Sequence, residues 1–431
     1  MLTGAGLIFF LTYAGVAIGR IPGLRLDRTG IAVLGAIAMV SGGFVPLDQA
    51  VGAIDFPTIL LLYALMLISA QLRLGGFYTW VAVRITALLR RPRHFLLAVM
   101  ATSALLSAIL ANDIVCLAFT PVLIYTVLPA GYNPLPFLLG LAVASNIGSA
   151  ATLIGNPQNM LIGQVGRLGF GAFLAWSTFP VVFSLLAGYL LICWRYRGRF
   201  AVVVRGPVDR PGGHDWPAVN RWQSGKGLLA ILVLMALFMT AIPRELSAMA
   251  VAGVLLCSRR LESRQLLKLV DWQLLTLFCA LFVVIQGVTA TGAPSTIMAN
   301  LADYGIRVTE PLTLVWVSTA LSNLVSNVPA TLLLIKFLDP GRITEWYTLA
   351  VSSTFAGNLL LIGSIANLIV VEQAGAMGVT LGVAEHARIG IPVTLISLLI
   401  LILWLGAVGG WSGCVLGASG CAFGMSGYAF G

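Results

Sequence analysis

Asp113 is the residue whose type and position point most directly to chemistry. It follows Asn112 inside a long apolar segment, and it is the one acidic residue that we expect near the middle of a membrane. A charged carboxylate there costs several kcal/mol, so an intramembrane acid is a functional hypothesis by default. The carboxyl would either titrate or hold a cation. A structural role is also open, because a carboxylate can stabilise the start of the helix that follows it.

Four polar breaks interrupt the apolar segments, and Asp113 belongs to the first. The others fall at Ser326–Asn327–Val328–Pro329, at Gly155–Asn156–Pro157 and at Gly363–Ser364. In the last two breaks the Asn and the Ser are predicted N-caps, and the proline is a predicted first helical residue. Irregular backbone at membrane depth is tolerated where it lines a cavity. Helix N-termini attract anions, and Asn, Ser and carbonyl oxygens suit Na⁺ or a proton relay, so the breaks predict a binding site.

An enzyme would need a nucleophile–base pair or a metal cluster, and the sequence indicates neither. The six cysteines have no CxxC or Cys/His spacing, which argues against a metal site. The three histidines, His94, His214 and His386, are all predicted to lie in loops or at membrane interfaces. We therefore expect no catalytic residues, no metal centre and no organic cofactor.

The composition indicates what kind of chain carries these residues. Hydrophobic residues make up 59% and charged residues 9% of the 431 residues, against about 45–50% and about 25% in soluble domains. So few charges exclude a series of soluble domains. The formal net charge of +10 is expected in cytoplasmic loops, and no nucleic-acid partner is predicted. The chain is predicted to be a polytopic membrane protein.

Apolar stretches long enough to cross about 30 Å of hydrocarbon define the predicted membrane elements. Two of them, 95–128 and 311–338, are each long enough for two passes or for one re-entrant hairpin. The basic segment 73–93 is predicted to be an amphipathic helix at the interface. The remaining stretches are 2–19, 29–47, 56–73, 134–164, 170–195, 227–243, 245–258, 271–290, 345–372 and 389–408.

The distribution of Lys and Arg predicts the orientation. With both termini outside, most basic residues fall in cytoplasmic loops, including the long basic loop at 195–226. Cytoplasmic loops carry the excess of positive charge in membrane proteins. We therefore predict a multi-pass protein of the inner, or plasma, membrane, surrounded by the lipid bilayer, with the 195–226 loop in the cytoplasm.

The chain also contains an internal repeat. DFPTILLLYAL at 55–65 resembles DWQLLTLFCAL at 271–281, and LSAILAND at 106–113 resembles LSNLVSNV at 321–328. In a third match, SNIGSAATLIGNPQNMLI at 145–162 resembles GNLLLIGSIANLIV at 357–370. This match pairs Asn146 with Asn358, Gly155 with Gly363 and Asn159 with Asn367, if the first copy carries four extra residues.

The repeat predicts the fold. Each half has an odd number of crossings, so the halves face opposite ways, as in many secondary transporters. We predict an all-α polytopic membrane protein with two inverted-topology repeats, each with about five transmembrane helices plus one re-entrant hairpin and a broken helix. The predicted boundaries are 1–197 for the first repeat, 198–226 for a cytoplasmic linker, 227–408 for the second repeat and 409–431 for a Gly-rich tail.

At these residues the sequence resembles the ion-transporter superfamily, which includes arsenite permeases, related sodium/proton antiporters, citrate permeases and divalent-anion/sodium symporters. Ala111–Asn112–Asp113, followed by Thr120–Pro121, is similar to the first hairpin of the arsenite-permease and antiporter branch. The segments at 145–159, 322–329 and 357–367 are similar to the other breaks of that branch. The tips read Ala-Asn-Asp and Ser-Asn-Val, where the symporters have Ser-Asn-Thr, and this departure favours proton coupling.

The resemblance implies an elevator-type transporter, often a homodimer. The hairpin, the broken helix and the final helix of each half would move against a scaffold made from the first three helices of each half. Carried onto this sequence, the resemblance implies these site residues: Asn112, Asp113, Asn146, Asn156, Asn159, Ser326, Asn327, Asn358, Ser364 and Asn367.

The predicted function is secondary transport of a small inorganic or organic anion, or of arsenite or antimonite, coupled to Na⁺ or H⁺. A Na⁺/H⁺ antiporter that works through Asp113 is one alternative, and a sodium-coupled citrate or dicarboxylate transporter is another. No Arg is predicted at the centre to bind a dicarboxylate through two hydrogen bonds, so a small or weakly charged solute fits better. The possible Na⁺ ligands are Asn112, Asn146, Asn327 and Asn358.

Overall fold

The computed structural model of the chain is built from α-helices. It describes residues 4–19, 25–200, 219–258, 261–293, 296, 299–300, 303 and 307–408. These residues form nineteen α-helices and two short 3₁₀ turns, and no strand occurs among them. The prediction of an all-α polytopic fold is confirmed. Most of the predicted linker and the whole Gly-rich tail, 409–431, lie outside the described residues.

The helices follow the predicted segments closely. Six of those described are long and apolar enough to cross a membrane: Phe56–Leu74, Pro92–Ile109, Phe170–Arg195, Arg221–Phe238, Trp272–Thr289 and Val383–Ala407. The first half contains α1 Gly4–Ile18, α2 Arg28–Ser41, α3 Leu47–Ala53, α4 Phe56–Leu74, α5 Phe77–Ile85, α6 Pro92–Ile109, α7 Asn112–Val127, α8 Leu135–Ser149, α9 Pro157–Val165 and α10 Phe170–Arg195. The second half contains α11 Arg221–Phe238, α12 Arg244–Leu256, α13 Ser263–Leu267, α14 Trp272–Thr289, α15 Pro311–Val325, α16 Asn327–Leu334, α17 Ile343–Ala356, α18 Ile365–Ala376 and α19 Val383–Ala407.

Matched acids fix the start of one helix in each half. The Asp55 carboxylate accepts a hydrogen bond from the Thr58 N–H at 2.8 Å, and the Asp271 carboxylate accepts one from the Leu274 N–H at 2.9 Å. An N-cap satisfies one of the free N–H groups at a helix start and adds a favourable charge–dipole interaction. Helices α4 and α14 therefore begin in the same way, as the sequence match between the two segments predicts.

The first helices of each half exchange partners and form what we call the scaffold group, α1–α4 with α11–α14. Helix α4 packs against α12, and α2 packs against α14. In both pairs a helix of the first half packs against a helix of the second half. A buried hydrogen bond from Gln71 Nε2 to Gln223 Oε1, 2.8 Å long, joins α4 to α11. This reciprocal packing is the arrangement that two structurally equivalent halves of opposite orientation produce.

The remaining helices form a second group, the hairpin group, α6–α10 with α15–α19. Helix α6 packs on α8 and α15 packs on α17, which are equivalent pairs in the two halves. The final helices, α10 and α19, pack against each other and run antiparallel, since Tyr196 contacts Glu385 at one end and Phe179 stacks on Trp404 at the other. Short helix α5, followed by a 3₁₀ turn, occupies the segment predicted to be interfacial and packs on α7.

The two broken helices differ from the prediction in register. Gly363 was expected to end the first half-helix of the second repeat, but α17 already ends at Ala356, and Gly363 closes a 3₁₀ turn inside the break. The two breaks, 150–156 and 357–364, therefore have similar lengths. The predicted four-residue insertion is wrong. Asn146 lies in the last turn of α8, eleven residues before α9 begins, and the residue eleven before the start of α18 is Thr354 rather than Asn358.

Candidate functional site

Most of the predicted site residues line one small cavity where the hairpin group meets α14. Its volume is about 40 Å³. Four helices, α7, α9, α16 and α18, begin at this cavity, so both hairpin tips and both restarts of the broken helices reach it. The predicted residues that line it are Asn112, Asp113, Asn146, Asn156, Ser326, Asn327 and Ser364.

Asn146 joins the two halves beside the cavity. Its amide nitrogen donates to Asn358 Oδ1 at 2.9 Å and to Asn367 Oδ1 at 3.0 Å. Its amide oxygen accepts from Ser364 Oγ at 2.8 Å and from Asn112 Nδ2 at 3.3 Å. An Asn amide has two N–H donors and two lone pairs on its oxygen. All four are used, so this buried side chain is held in one orientation.

Three predicted residues, Asn159, Asn358 and Asn367, are buried but do not line the cavity. Asn159 Nδ2 donates to the Thr152 carbonyl oxygen at 3.0 Å, and Asn367 Nδ2 donates to the Gly357 carbonyl oxygen at 2.8 Å. Both side chains therefore close the backbone of a break. In this structure these side chains do not contact the cavity, and they stabilise the backbone and side chains that line it.

The hydrogen bonds of the two breaks cross between the halves in a matched way. Asn146 donates to Asn367 and accepts from the N-cap Ser364 of α18. Its counterpart Thr354 donates from Oγ1 to Asn159 Oδ1 at 3.2 Å and accepts from Nδ2 of the N-cap Asn156 at 3.2 Å. Each first half-helix thus fixes the restart of the other half's broken helix.

Several cavity residues were missed by the sequence reasoning. Thr354 was not predicted, because the sequence match assigned Asn358 rather than Thr354 as the counterpart of Asn146. The pairs Gly155/Gly363 and Asn159/Asn367 share one offset, and extending that offset without a gap would have found Thr354. Three others that line the cavity, Ser149, Gln158 and Leu274, lie within the matched segments at 145–162 and 271–281, but their residue types alone did not mark them as site residues.

The predicted caps are confirmed in position but differ in bonding. Asn156 caps α9 in the expected way, because its Oδ1 accepts from the Asn159 N–H at 2.9 Å and Pro157 is the first helical residue. Ser364 precedes α18 but makes no side-chain hydrogen bond to its own helix. Its hydroxyl donates to Asn146 instead. The start of α18 therefore keeps its N–H groups free of a side-chain cap.

The electrostatics of the cavity come from helix ends and one carboxylate. Each of the four helix N-termini carries about half a positive charge, whereas no Lys, Arg or His is among the residues that line the cavity. Asp113, in the first turn of α7, adds the acidic side chain. It provides no side-chain cap at the start of this helix. The ion pairs of the described residues all lie elsewhere, between residues three apart in the sequence.

Three of the four predicted Na⁺ ligands fall into two classes, and the fourth, Asn112, donates its amide nitrogen to Asn146. The amide oxygens of Asn146 and Asn358 already accept hydrogen bonds within the network. The Asn327 amide oxygen is buried and has no hydrogen-bond partner among the described residues. A bound cation or solute hydroxyl would therefore find a free oxygen ligand at Asn327, beside Asp113 in the same cavity.

Ser326 connects the two arms of the second hairpin under strain. It is the single residue between α15 and α16, with φ 78° and ψ 158°. This region is essentially restricted to glycine and costs another residue about 1–3 kcal/mol. The first hairpin has two residues at its tip, Leu110 and Ala111, both with negative φ. The shorter link accounts for the strained serine at the cavity wall.

Comparison with known proteins decides the family. A family model described as citrate transporter matches residues 12–340. The chain belongs to the citrate transporter family. A 46 kDa membrane protein of Mycobacterium leprae is 30% identical over 92% of this chain and 97% of its own length. A rice (Oryza sativa subsp. japonica) protein named silicon efflux transporter LSI3 is 28% identical over 87% of this chain and 92% of its own.

A solved structure shows the same fold. The crystal structure of the YdaH transporter of Alcanivorax borkumensis aligns with a TM-score of 0.53 at 16% identity, over 94% of this chain and 97% of that one. With the family and the apolar helices, this identifies a multi-pass membrane transporter rather than an enzyme. The recognition of the ion-transporter superfamily is confirmed.

Proposed function

We propose that this member of the citrate transporter family moves a small, weakly charged solute of the arsenite type across the membrane in exchange for protons. The observation that carries the proposal is the central cavity, where four helix N-termini, amide and hydroxyl groups and the Asp113 carboxyl meet without a cationic side chain. Asp113 would bind the exchanged proton, and the surrounding amides would bind the solute.

The size of the cavity favours a small solute. A volume of about 40 Å³ corresponds to roughly three water positions, since one water needs at least about 10–15 Å³ measured in the same way. Citrate, with thirteen non-hydrogen atoms, is much larger than this. A trihydroxide such as arsenous acid, or a small oxyanion, is closer in size. The cavity therefore supports a small solute more strongly than a tricarboxylate, although the family takes its name from citrate.

The chemistry of the lining favours a solute rich in hydroxyl groups. Arsenous, antimonous and silicic acids are uncharged near neutral pH, and their hydroxyls both donate and accept hydrogen bonds. Ser149, Ser326 and Thr354 offer hydroxyls, and Gln158 and Asn327 offer amides. A buried dianion would instead call for Arg, which binds carboxylates through two hydrogen bonds. The name of the rice relative, silicon efflux transporter, points to the same class of solute.

A Na⁺/H⁺ antiporter is the second candidate. The free Asn327 oxygen and the Asp113 carboxyl are the hard oxygen ligands that Na⁺ prefers, and both line the cavity. In that case Na⁺ and H⁺ would compete for Asp113, and no other solute would be needed. A sodium-coupled citrate transporter has less support, because the cavity is small and offers no cationic side chain to a carboxylate.

The division into two groups of helices supports an elevator-type motion. The hairpin group carries almost all of the cavity, and side-chain hydrogen bonds join it to the scaffold group at a few points. Tyr13 Oη donates to the Pro329 carbonyl oxygen at 3.2 Å, Gln164 Nε2 donates to Glu245 Oε2 at 2.8 Å, and Arg244 Nη2 donates to the Gly163 carbonyl oxygen. We propose that these contacts break when the hairpin group moves. We also propose that the protein lies in the inner membrane with both termini outside, and that it forms a homodimer.

Transport in proteoliposomes tests the coupling. We expect an imposed proton gradient to drive arsenite across the membrane in the wild type, and Asp113→Asn to abolish this response, because an amide cannot bind and release the proton. Exchange of labelled for unlabelled solute without a gradient should persist in the variant. Uptake of arsenite, antimonite, silicic acid, phosphate and citrate, each measured with and without the gradient, identifies the solute.

Glu372→Gln is the matched control. It removes one carboxylate from an exposed position on α18, away from the cavity, and should leave gradient-driven transport unchanged. Unchanged pH dependence in Asp113→Asn would overturn the role given to Asp113. Gradient-driven ²²Na⁺ movement that needs no other solute would establish the antiporter instead.

A further inference from the structure

His386 is a buried titratable residue that the proposed function does not use. It lies in the first turn of α19 and is 1% exposed. His386 therefore lies in a helix rather than a loop, because α19 begins at Val383, and its side chain is turned into the protein. Neither ring nitrogen has a hydrogen-bond partner among the described residues. A buried polar group without a partner loses its hydrogen bonds to water and gains none in return, so this placement is unfavourable unless the ring has a function.

The imidazole adjoins the break of the second half. A Cβ at residue 390 would lie 2.2 Å from the Asn358 carbonyl oxygen and 3.1 Å from Nδ1 of His386. Gly390, one turn after His386, therefore lets α19 pack directly against the break. The ring nitrogen and this carbonyl are close enough to share a hydrogen bond through one water. The Asn358 side chain in turn accepts from Asn146, which lines the central cavity.

The other side of His386 leads to the protein surface. The neighbouring Glu385 carboxylate accepts from Tyr196 Oη at 2.5 Å and from Arg388 Nη1 at 2.9 Å. Its side chain is 22% exposed, so solvent reaches a proton acceptor next to the buried imidazole. His386 therefore follows a partly solvated carboxylate directly in α19, and its ring adjoins the break whose Asn358 belongs to the hydrogen-bond network of the cavity.

Other titratable groups near His386 come from α19 itself and from the end of α10. Helices α8 and α15 and the 3₁₀ turn at Leu361–Gly363, all packed against α19, have no titratable side chains. Helix α17 carries Glu345 and Tyr347 near its start, and Tyr347 packs on Phe173 at the opposite end of α10. Among the described residues, the charged and titratable groups at the His386 end are Glu385, Arg388, Tyr189, Cys193, Arg195 and Tyr196.

We propose that His386 is a proton-transfer residue that connects the Glu385 surface with the central cavity, by a route separate from that of the solute. This inference rests on the proposed proton coupling. The proton that leaves the Asp113 carboxyl passes through water to the unprotonated ring nitrogen of His386. The ring then releases the proton on its other nitrogen to water at Glu385. Only O–H and N–H bonds form and break, and the imidazole returns to its neutral form.

Two transport assays on His386→Gln test this route. Arsenite movement driven by a proton gradient should be slower by about tenfold or more, as expected when a proton-transfer group is removed, and its pH profile should change. Exchange of labelled for unlabelled arsenite requires no net proton movement and should stay within about twofold of the wild type. His94→Gln, at an exposed position of α6, is the control and should match the wild type in both assays.

The same assays separate the possible failures. Equal losses of gradient-driven transport and of exchange in His386→Gln would show a structural role and overturn the inference. Wild-type rates and pH profile in the variant would also overturn it. A wild type that ignores the proton gradient would contradict the proposed function, and this inference with it. If the Gln variant cannot be purified, His386→Asn provides the same comparison.

Discussion

The two halves of the cavity share one hydrogen-bonding plan but differ at their hairpin tips. The first tip is relaxed, and its Asn112 is bonded to Asn146. The second tip depends on the strained Ser326, and its Asn327 has a buried amide oxygen without a partner among the described residues. The first half therefore supplies the carboxyl in a fixed frame. The second half contains the unpaired amide oxygen of Asn327 and the strained backbone of Ser326. We therefore expect the conformation of the second tip to change more than that of the first when solute binds.

The broken helices show the same contrast. Asn156 caps its own helix and also donates to Ser149 Oγ at 3.0 Å, within the first half. Ser364 makes no cap bond to its own helix, and its hydroxyl donates to Asn146 Oδ1. The restart of α9 is thus secured mainly by its own half. The restart of α18 depends on a residue from the other half, which couples its position to that of Asn146.

The largest expected effect comes from the equivalent pair Asn146 and Thr354. Asn146→Ala removes four hydrogen bonds and leaves buried groups of both halves unpaired, at a cost of about 2–3 kcal/mol of unfolding free energy. Transport should fall by more than tenfold. Thr354→Ala should cost less, about 1 kcal/mol, because Asn156 Nδ2 keeps its bond to Ser149 and the main buried group left unpaired is the Asn159 amide oxygen. Thermal unfolding and arsenite exchange in proteoliposomes measure both effects.

Thr354→Ser keeps the hydroxyl and serves as the control for this pair. It should restore transport to near the wild-type rate. If Asn146→Ala and Thr354→Ala have equal effects on stability and transport, the two halves are energetically equivalent, and the contrast drawn between them is wrong.

A smaller effect should distinguish the two hairpin tips. Ser326→Gly relieves a strained backbone worth about 1–3 kcal/mol but adds chain entropy to the unfolded state, worth about 0.5–1 kcal/mol. We expect a net stabilisation of about 1 kcal/mol, seen as a raised midpoint of thermal unfolding. The matched substitution Ala111→Gly in the relaxed tip should instead destabilise the protein. A loss of stability in both variants would show that Ser326 is not strained.

Much of the architecture could be predicted because membrane helices are set by local rules. The length of each apolar stretch predicted the membrane segments, and the Asn156–Pro157 pair predicted the exact first residue of α9. Both predictions depend only on residues close together in the sequence. The hairpins were predicted from polar residues that lipid does not tolerate. The convergence of Asp113 and Asn327 on one cavity followed from the repeat.

The rest depends on packing between distant segments. The shared residue type pairs Asn358 with Asn146, but the spacing to the start of the following half-helix, not the residue type, defines the structural equivalence. Whether Ser364 caps its own helix or bonds to Asn146 is decided by how closely the halves approach. The burial of His386 follows from Gly390, which lets α19 pack against the break between α17 and α18. None of these contacts leaves a periodic pattern in the sequence.

Proton release on solute binding tests the central claim most directly. Arsenite is added to the purified, detergent-solubilised protein in weak buffer, and a pH indicator records protons while binding is measured in parallel. The account predicts that the wild type releases protons as arsenite binds, and that Asp113→Asn binds arsenite without releasing any. Equal proton release by the two proteins, or none from a wild type that binds arsenite, would contradict it.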